Sequence, residues 1–216
     1  MKTIIKVAML SFIAPVFAAD YQAAYAPPEL NGCVLEKYSV CQGADLRGAD
    51  MSNINLRGVD FSGADLTGAN LNHANLRGAN LKGATLNRVT AYRTGLYRAD
   101  LRGATIHDAQ LQGAQGEYLF AQGADFSGSD MTGANFNFSK LSGATLKNVD
   151  LSFASLEIAW LPKADLEGAT LFGANLQEVK LDYGNLNKAD MRNTRIHYGT
   201  FVDTYMDDCK NCPVDW

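Results

Sequence analysis

The chain has 216 residues, of which 47% are hydrophobic and 19% charged, and its formal net charge at pH 7 is −4. Beyond residue 18 no apolar run approaches the roughly 20 residues that a membrane-spanning helix needs, which excludes a protein built from several membrane spans. Composition leaves the fold and the function open, so the order of residues along the chain must decide them.

The first 18 residues have the pattern of a secretory signal peptide. Lys2 and Lys6 precede and enter an apolar run over residues 7–17, and residues 16–18 place small side chains at the offsets required for cleavage before Ala19. The alternative is an uncleaved anchor, although the run is shorter than the roughly 20 residues of a spanning helix. Cleavage would leave 17 basic and 23 acidic residues, a net charge of −6. The sequence predicts a periplasmic or extracellular protein, or a thylakoid-lumen protein if its source is photosynthetic.

Residues 44–208 repeat with a period of five, as 33 successive pentads without a break in register. We number the positions of each pentad one to five, with the bulky apolar residue at position three. That residue is Leu, Met, Phe or Ile in 30 of the 33, and the exceptions are Ala91, Gly116 and Ala121. Position one is Ala in 20 pentads, position two is Asp or Asn in 17, and position five is Gly in 14. A period of five fits neither an amphipathic helix nor a strand, so it predicts a repeat architecture.

The form A-[DN]-L-x-G, seen at residues 64–68 and, apart from its last residue, 174–178, resembles the pentapeptide-repeat family over about three quarters of the chain. The resemblance implies an all-β fold, a right-handed quadrilateral β-helix with four pentads per coil and positions one and three pointing inward. Ala beside Leu suits a narrow prism that holds one small and one large side chain per face. At a ladder spacing of about 4.8 Å, this predicts about eight coils and a rod roughly 39 Å long.

Both ends of such a rod need covering, because an open solenoid end exposes apolar side chains and unpaired backbone groups. We expect residues 19–43 to form an N-terminal cap and residues 209–216 a C-terminal cap tail, on either side of the β-helix over residues 44–208.

The four cysteines lie just outside the repeat, two at each end. A disulfide needs Cα atoms within about 7 Å, a distance that the length of the rod exceeds several times. In a monomer this predicts the local pairs Cys33 with Cys41 and Cys209 with Cys212, and it excludes a zinc site that uses all four. The C-terminal pair also has the C-x-x-C spacing of redox motifs, but two aspartates precede it and disfavour a thiolate.

With four pentads per coil, residues 20 apart become neighbours on one face. Position five would then carry an outward apolar ladder, and aromatic residues at position two would stand on the adjoining face. We predict that this patch is a contact surface for an unidentified protein partner or for self-association, with plain ladder stacking as the alternative. Its residues are Tyr118, Phe120, Phe138, Ile158 and Trp160.

Basic residues crowd the same two faces in the N-terminal half; they are Arg57, Arg77, Lys82, Arg98 and Arg102. A stripe this short is typical of a solvated face, and export argues against nucleic acid as a partner.

The repeat offers few convergent polar groups for catalysis. The three histidines, His73, His107 and His197, flank centres on three different faces and cannot share a metal ion. The aspartates that recur at position two, such as Asp45 and Asp65, are expected to hydrogen-bond the turn backbone. We therefore predict a protein that is not an enzyme and uses no cofactor or metal.

Residues 114–123 are the one irregular stretch, because they contain two small position-three residues in succession. We expect a continuous but distorted coil in which Leu119 fills the slot from inside. The alternative is a ten-residue loop, which would rotate all later faces and separate Tyr118 from Phe138.

The resemblance also implies functional alternatives. The best-known pentapeptide-repeat proteins mimic DNA and inhibit gyrase. This chain departs from them in its export signal, in a short tail without a dimerising helix, and in mixed patches of charge. We predict an exported structural or binding rod that presents a rigid surface to another protein. The alternatives are a DNA-mimicking topoisomerase (gyrase) inhibitor and a thiol-disulfide redox protein that uses the C-terminal C-x-x-C pair.

Overall fold

The structure is a computed structural model that describes residues 27–213. The predicted signal peptide lies outside the described residues, as do the first part of the N-terminal cap and the last three residues. Within residues 27–213, no helix has the length and apolar character that crossing a membrane requires.

The described chain begins with a hairpin of two short antiparallel strands, β1 (Glu29–Leu30) and β2 (Cys33–Val34). Asn31 and Gly32 connect them with φ angles of 51° and 77°, the left-handed pair that a two-residue hairpin turn requires. Cys33 is buried in the core and Leu30 packs against it. The hairpin thus covers apolar side chains at the N-terminal end of the repeat.

The repeat is organised by parallel bridges between residues 20 positions apart. From Val40 onward every fifth residue bridges the residue 20 positions later, and the series ends with Asp190 and Lys210. Position two of each pentad therefore lies beside position two of the pentad four further on. This is the pairing of a β-helix with four pentads in each coil, as the sequence predicts.

Most pentads turn a corner with the same hydrogen bonds. In the pentad 64–68, the backbone N–H of Leu66 donates to Thr85 O in the next coil at 2.7 Å, and the N–H of Gly68 donates to Asn87 O at 2.8 Å. The N–H of Ala69 closes the turn by donating to Leu66 O at 2.9 Å. Position five is the third residue of that turn and has a positive φ, as in type II β-turns, which explains the preference for Gly there.

The core fills the inside of the helix with positions one and three. Leu46, Leu66 and Phe61 are wholly buried, and Ala residues at position one separate such large side chains. Position two is mostly half-buried and positions four and five face outward. Because every coil repeats this arrangement, the core is a single continuous column.

Residues 114–123 continue the coil, so the alternative of a protruding loop is wrong. Gln115 bridges both Gly95 and Asn135, and Phe120 bridges Asp100 and Lys140. The slot at Gly116 is filled differently from the expectation. A Cβ on Gly116 would lie 2.5 Å from Phe136 Cε1, so the Phe136 ring of the next coil occupies that space.

Leu119 is wholly buried, but it compensates for Ala121 within its own pentad. The large and small side chains have exchanged positions one and three there. Register and faces are preserved past this stretch, so the 20-residue columns extend through it.

Candidate interaction surface

The predicted contact residues lie along one corner of the β-helix, which we call the aromatic corner. Its position-five residues are Tyr118, Phe138 and Ile158, each 40–41% exposed and each with a φ between 58° and 60°. Among the described residues with positive φ, Ile158 is the one with a β-branched side chain. Such side chains are the least compatible with left-handed backbone, so Ile158 occupies a position that Gly or Asn would hold at lower energy.

Tyr118 and Phe138 form a parallel stack. Their ring centroids are 4.9 Å apart and the ring planes differ by 8°. Tyr97 meets the Tyr118 ring edge-on at 5.6 Å, which extends the aromatic contact by one more coil. The structure thus brings Tyr118 and Phe138 together as predicted, and the continuous coil over residues 114–123 keeps them adjacent.

The adjoining column consists of Phe120, Lys140 and Trp160, each bridged to the next through the backbone. Lys140 Nζ lies 5.6 Å from the centre of the Phe120 ring, within the range of a cation–π contact. Phe120 is half-buried, whereas Trp160 is 51% exposed. Trp160 is therefore the larger free apolar surface of this column.

An open groove of about 570 Å³ lies at the C-terminal end of the aromatic corner. Its lining residues are Ile158, Trp160, Glu178, Lys180 and Tyr198. Tyr198, which is 80% exposed, was not among the predicted contact residues. The sequence signal for it was present, because Tyr198 stands in the same 20-residue column as Ile158 with Glu178 between them.

The predicted basic stripe divides into two groups. Lys82 Nζ lies 3.3 Å from Asp100 Oδ2 and an Arg102 guanidinium nitrogen lies 2.6 Å from the same oxygen. Burial raises the pKa of Asp100, but hydrogen bonds from Arg102 and Lys82 outweigh this and hold it below its ordinary value. Lys82 and Arg102 therefore share one carboxylate, whereas the ion pairs within residues 27–213 include none of Arg57, Arg77 and Arg98.

The position-two aspartates bind the turn backbone, as predicted. Asp65 Oδ1 accepts a hydrogen bond from the backbone N–H of Thr67 at 2.9 Å, and Asp125 Oδ1 accepts one from Ser127 at 3.0 Å. Where an Arg stands two residues later the carboxylate also pairs with it. The Arg192 side chain donates to Asp190 and lowers the pKa of that carboxyl to about 2. These carboxylates stabilise corners, and none of this requires a ligand.

The histidines lie apart from one another. His73 packs edge-on against Tyr92 at 5.5 Å, and His107 Nε2 lies 2.9 Å from Asp125 Oδ2. Across residues 27–213, no group of three or more His, Cys, Asp or Glu side chains is arranged to hold a metal ion.

The cysteines of each end lie at disulfide distance. The Cα atoms of Cys33 and Cys41 are 5.2 Å apart, and those of Cys209 and Cys212 are 5.7 Å apart. Cys33 and Cys41 are buried in the core and so join the hairpin to the first coil. The C-terminal pair is partly buried beneath the last coil, and Cys212 Sγ lies 3.2 Å from Met191 Sδ.

Comparison with known proteins identifies the repeat. The family profile described as pentapeptide repeats matches the chain in eight copies, over residues 39–78, 79–115, 120–148, 150–182 and 174–210. The match supports the right-handed β-helix that the sequence resemblance implies. None of the curated proteins matches the chain.

Several solved structures are similar. HetL, a pentapeptide repeat protein involved in heterocyst differentiation regulation from Nostoc sp. strain PCC 7120, has 24% identity and a TM-score of 0.49, covering 90% of this chain and 94% of its own. Full-length QnrB1, a plasmid-mediated fluoroquinolone resistance protein, has 18% identity and a TM-score of 0.38, with coverages of 73% and 91%. A pentapeptide repeat protein from the Arabidopsis thaliana thylakoid lumen has 31% identity and a TM-score of 0.21, with coverages of 51% and 70%.

Proposed function

The chain belongs to the pentapeptide-repeat family, and on that premise we propose that it is an exported, non-enzymatic rod of about eight coils whose aromatic corner binds another protein. In this proposal residues 1–18 are removed on export, residues 19–43 and 209–216 cap the two ends, and residues 44–208 hold the surface rigid. The partner is a second protein of a different kind, and self-association is the alternative outcome.

The observation that carries the proposal is the exposed stack of Tyr118 and Phe138. Two rings in parallel contact at 4.9 Å, each 40% exposed, form a flat apolar surface that Ile158 and Trp160 extend. Aromatic side chains bury large apolar areas at little entropic cost, and they are enriched in the centres of protein interfaces. The stack is also held on β-helix backbone, so binding would order few additional groups.

Ile158 supplies a second argument. A β-branched residue at a φ of 58° is strained, and strained residues cluster at functional sites, where the side chain is retained in spite of its cost. Ile158 lines the groove beside Trp160, so its side chain contributes to the surface that we propose is bound.

The test replaces two residues of the aromatic corner and compares them with a matched pair elsewhere. In the double variant Phe138→Ser with Trp160→Ser, the partner protein should no longer be recovered with the chain after crosslinking in cells. Phe153→Ser with Tyr183→Ser should leave recovery unchanged, because those residues are 64% and 57% exposed on other corners. Equal recovery by both double variants would overturn the proposal. A concentration-dependent dimer in sedimentation, lost only in the first variant, would indicate self-association instead.

Export is tested separately by intact mass. The protein recovered from fractionated native cells should begin at Ala19, and reduction should raise its mass by four hydrogens as both cysteine pairs open. A full-length, reduced chain in the cytosol would contradict export.

The two alternatives from the sequence have direct tests. A topoisomerase inhibitor would block DNA supercoiling at stoichiometric concentration. A redox protein would reduce insulin and lose this activity on Cys212→Ser. Our proposal expects neither activity.

A further inference from the structure

A second site lies on the same corner, nearer the N-terminus. Five residues line an open pocket of about 330 Å³, which we call the arginine pocket: Arg57, Arg77, Gly78, Tyr97 and Arg98. We propose that the arginine pocket binds the phosphate or sulfate group of a ligand. The proposal does not depend on protein binding at Phe138 and Trp160.

The pocket exists because Gly78 leaves a gap in the position-five column. A Cβ on Gly78 would have no heavy atom within 4 Å, whereas at Gly58, one coil earlier, the ring of Tyr38 covers the backbone. One coil later the column resumes with Arg98, followed by Tyr118. The gap is therefore one coil high, with Arg98 on one side of it.

The ring of Tyr97 contacts two of the guanidinium groups. Arg77 Cζ lies 4.5 Å from the centre of the Tyr97 ring and Arg98 Cζ lies 5.4 Å from it. Arg98 also lies 5.7 Å from the ring centre of Tyr118. Stacking uses the face of a guanidinium and leaves the N–H donors along its edge available for an oxyanion.

Arg57 and Arg77 lack the carboxylate that pairs with each of the other arginines at position four of a pentad. Arg47, Arg102 and Arg192 stand at position four and each pairs with an Asp two residues earlier, with N–O distances of 2.6 Å. Arg57 and Arg77 also stand at position four, but the residues two before them are Asn55 and Asn75. The Asn oxygens accept the backbone N–H groups of the same arginines, so the turn is kept and the charge partner is absent.

The neighbouring carboxylate on the column is directed elsewhere. Glu117 follows Arg57, Arg77 and Tyr97 at 20-residue spacing, and its Oε1 accepts a hydrogen bond from Asn135 Nδ2 at 2.9 Å. Across residues 27–213, the ion pairs include none of the three pocket arginines. Three guanidinium groups without an ion-pair partner therefore surround one gap. They carry more N–H donors than the two oxygens of a carboxylate ligand could accept, which favours a tetrahedral oxyanion as the ligand.

In the first experiment the full chain is titrated with inorganic phosphate at constant ionic strength, and binding is measured by isothermal titration calorimetry. We expect saturable binding that Arg77→Gln weakens at least tenfold. Arg192→Gln should leave it unchanged, because that arginine occupies the same pentad position but is paired with Asp190. Absence of saturable binding, or equal weakening by both variants, would overturn the proposal.

A second variant tests the gap itself. Gly78→Tyr fills the pocket, and the backbone accepts it because Tyr118, Tyr183 and Tyr198 occupy position five with positive φ. It should abolish phosphate binding, whereas Gly83→Tyr, at an equally open position-five glycine, should have no effect. Unchanged binding by Gly78→Tyr would contradict the proposed location.

The source of the anion is distinguished by a second probe. If the phosphate belongs to a lipid headgroup, the chain should co-sediment with vesicles of phosphatidylglycerol in phosphatidylcholine. The Gly78→Tyr variant should not co-sediment with them. Binding of inorganic phosphate without vesicle binding would assign a soluble ligand. The Phe138→Ser and Trp160→Ser variant should retain phosphate binding, so a failure of one proposal leaves the other standing.

Discussion

Phe136 and Phe138 stand two residues apart in one pentad and have opposite roles. Phe136 is at position three, 1% exposed, with its ring filling the space at Gly116, whereas Phe138 is at position five, 40% exposed and stacked on Tyr118. The interior column keeps large and small apolar side chains in nearly every coil because it must pack, whereas the corners are free to differ. In this fold the position within the pentad, more than the residue type, decides whether a side chain stabilises the rod or faces a partner.

Truncating each phenylalanine in a separate variant would test this contrast, and it has the largest expected effect on stability. Phe136→Ala should lower the free energy of unfolding by about 3–5 kcal/mol, since the cavity would join the gap at Gly116. Phe138→Ala should lower it by less than about 1 kcal/mol, because its side chain is partly solvated already. Urea denaturation of both variants measures the difference, and similar losses would show that the corner stack is part of the core.

A methyl group at Gly116 would sharpen the comparison on the interior side. Gly116→Ala should destabilise the rod by about 1–3 kcal/mol, because the new Cβ overlaps the Phe136 ring. Phe136→Leu in the same chain should recover part of that loss. Gly95→Ala is the control, since its Cβ would make only ordinary contacts at 3.8 Å. A double variant no better than Gly116→Ala alone would contradict the assignment of Phe136 to this space.

At the corner, relief of strain should change stability in the opposite direction. Ile158→Asn should raise the free energy of unfolding by about 1 kcal/mol, because Asn tolerates the left-handed conformation and already occupies position five at Asn53, Asn148 and Asn193. The same change should weaken partner recovery. Lys163→Asn is the control, because Lys163 also stands at position five but has an unbranched side chain. An equal gain in the free energy of unfolding there would show that the gain at Ile158 does not come from β-branching.

The smallest expected effect is the acid sensitivity of a corner. The pKa of Asp190 is about 2, below its ordinary 3.8, because Arg192 donates hydrogen bonds to it. A lowered pKa means that the pair contributes stability above about pH 4 and loses it as the pH falls towards 2. Melting curves across that window should show a shallower decline for Asp190→Asn and for Arg192→Gln than for the unchanged chain. Identical declines in all three would contradict a role for this pair.

Much of the surface could be read from the 20-residue spacing, and part of it could not. The adjacency of Tyr118 and Phe138 followed from counting pentads, and so did the column of Phe120, Lys140 and Trp160. The Asp-x-Arg spacing of Asp190 and Arg192 is also a sequence signal for their pairing. The contact of Arg77 with Tyr97 was not predictable, because it depends on how long side chains at position four lie along the rod.

The sequence by itself determined the coil, its columns and its inward positions, because a narrow prism accepts only one large and one small side chain per face and so imposes a period of five. Only the tertiary structure decided how gaps in that period are filled. The Phe136 ring enters the space at Gly116 from the next coil, Tyr38 covers Gly58, and the place at Gly78 stays open. Each outcome depends on contacts between coils, and side-chain directions along the rod axis are not encoded in the order of residues within a pentad.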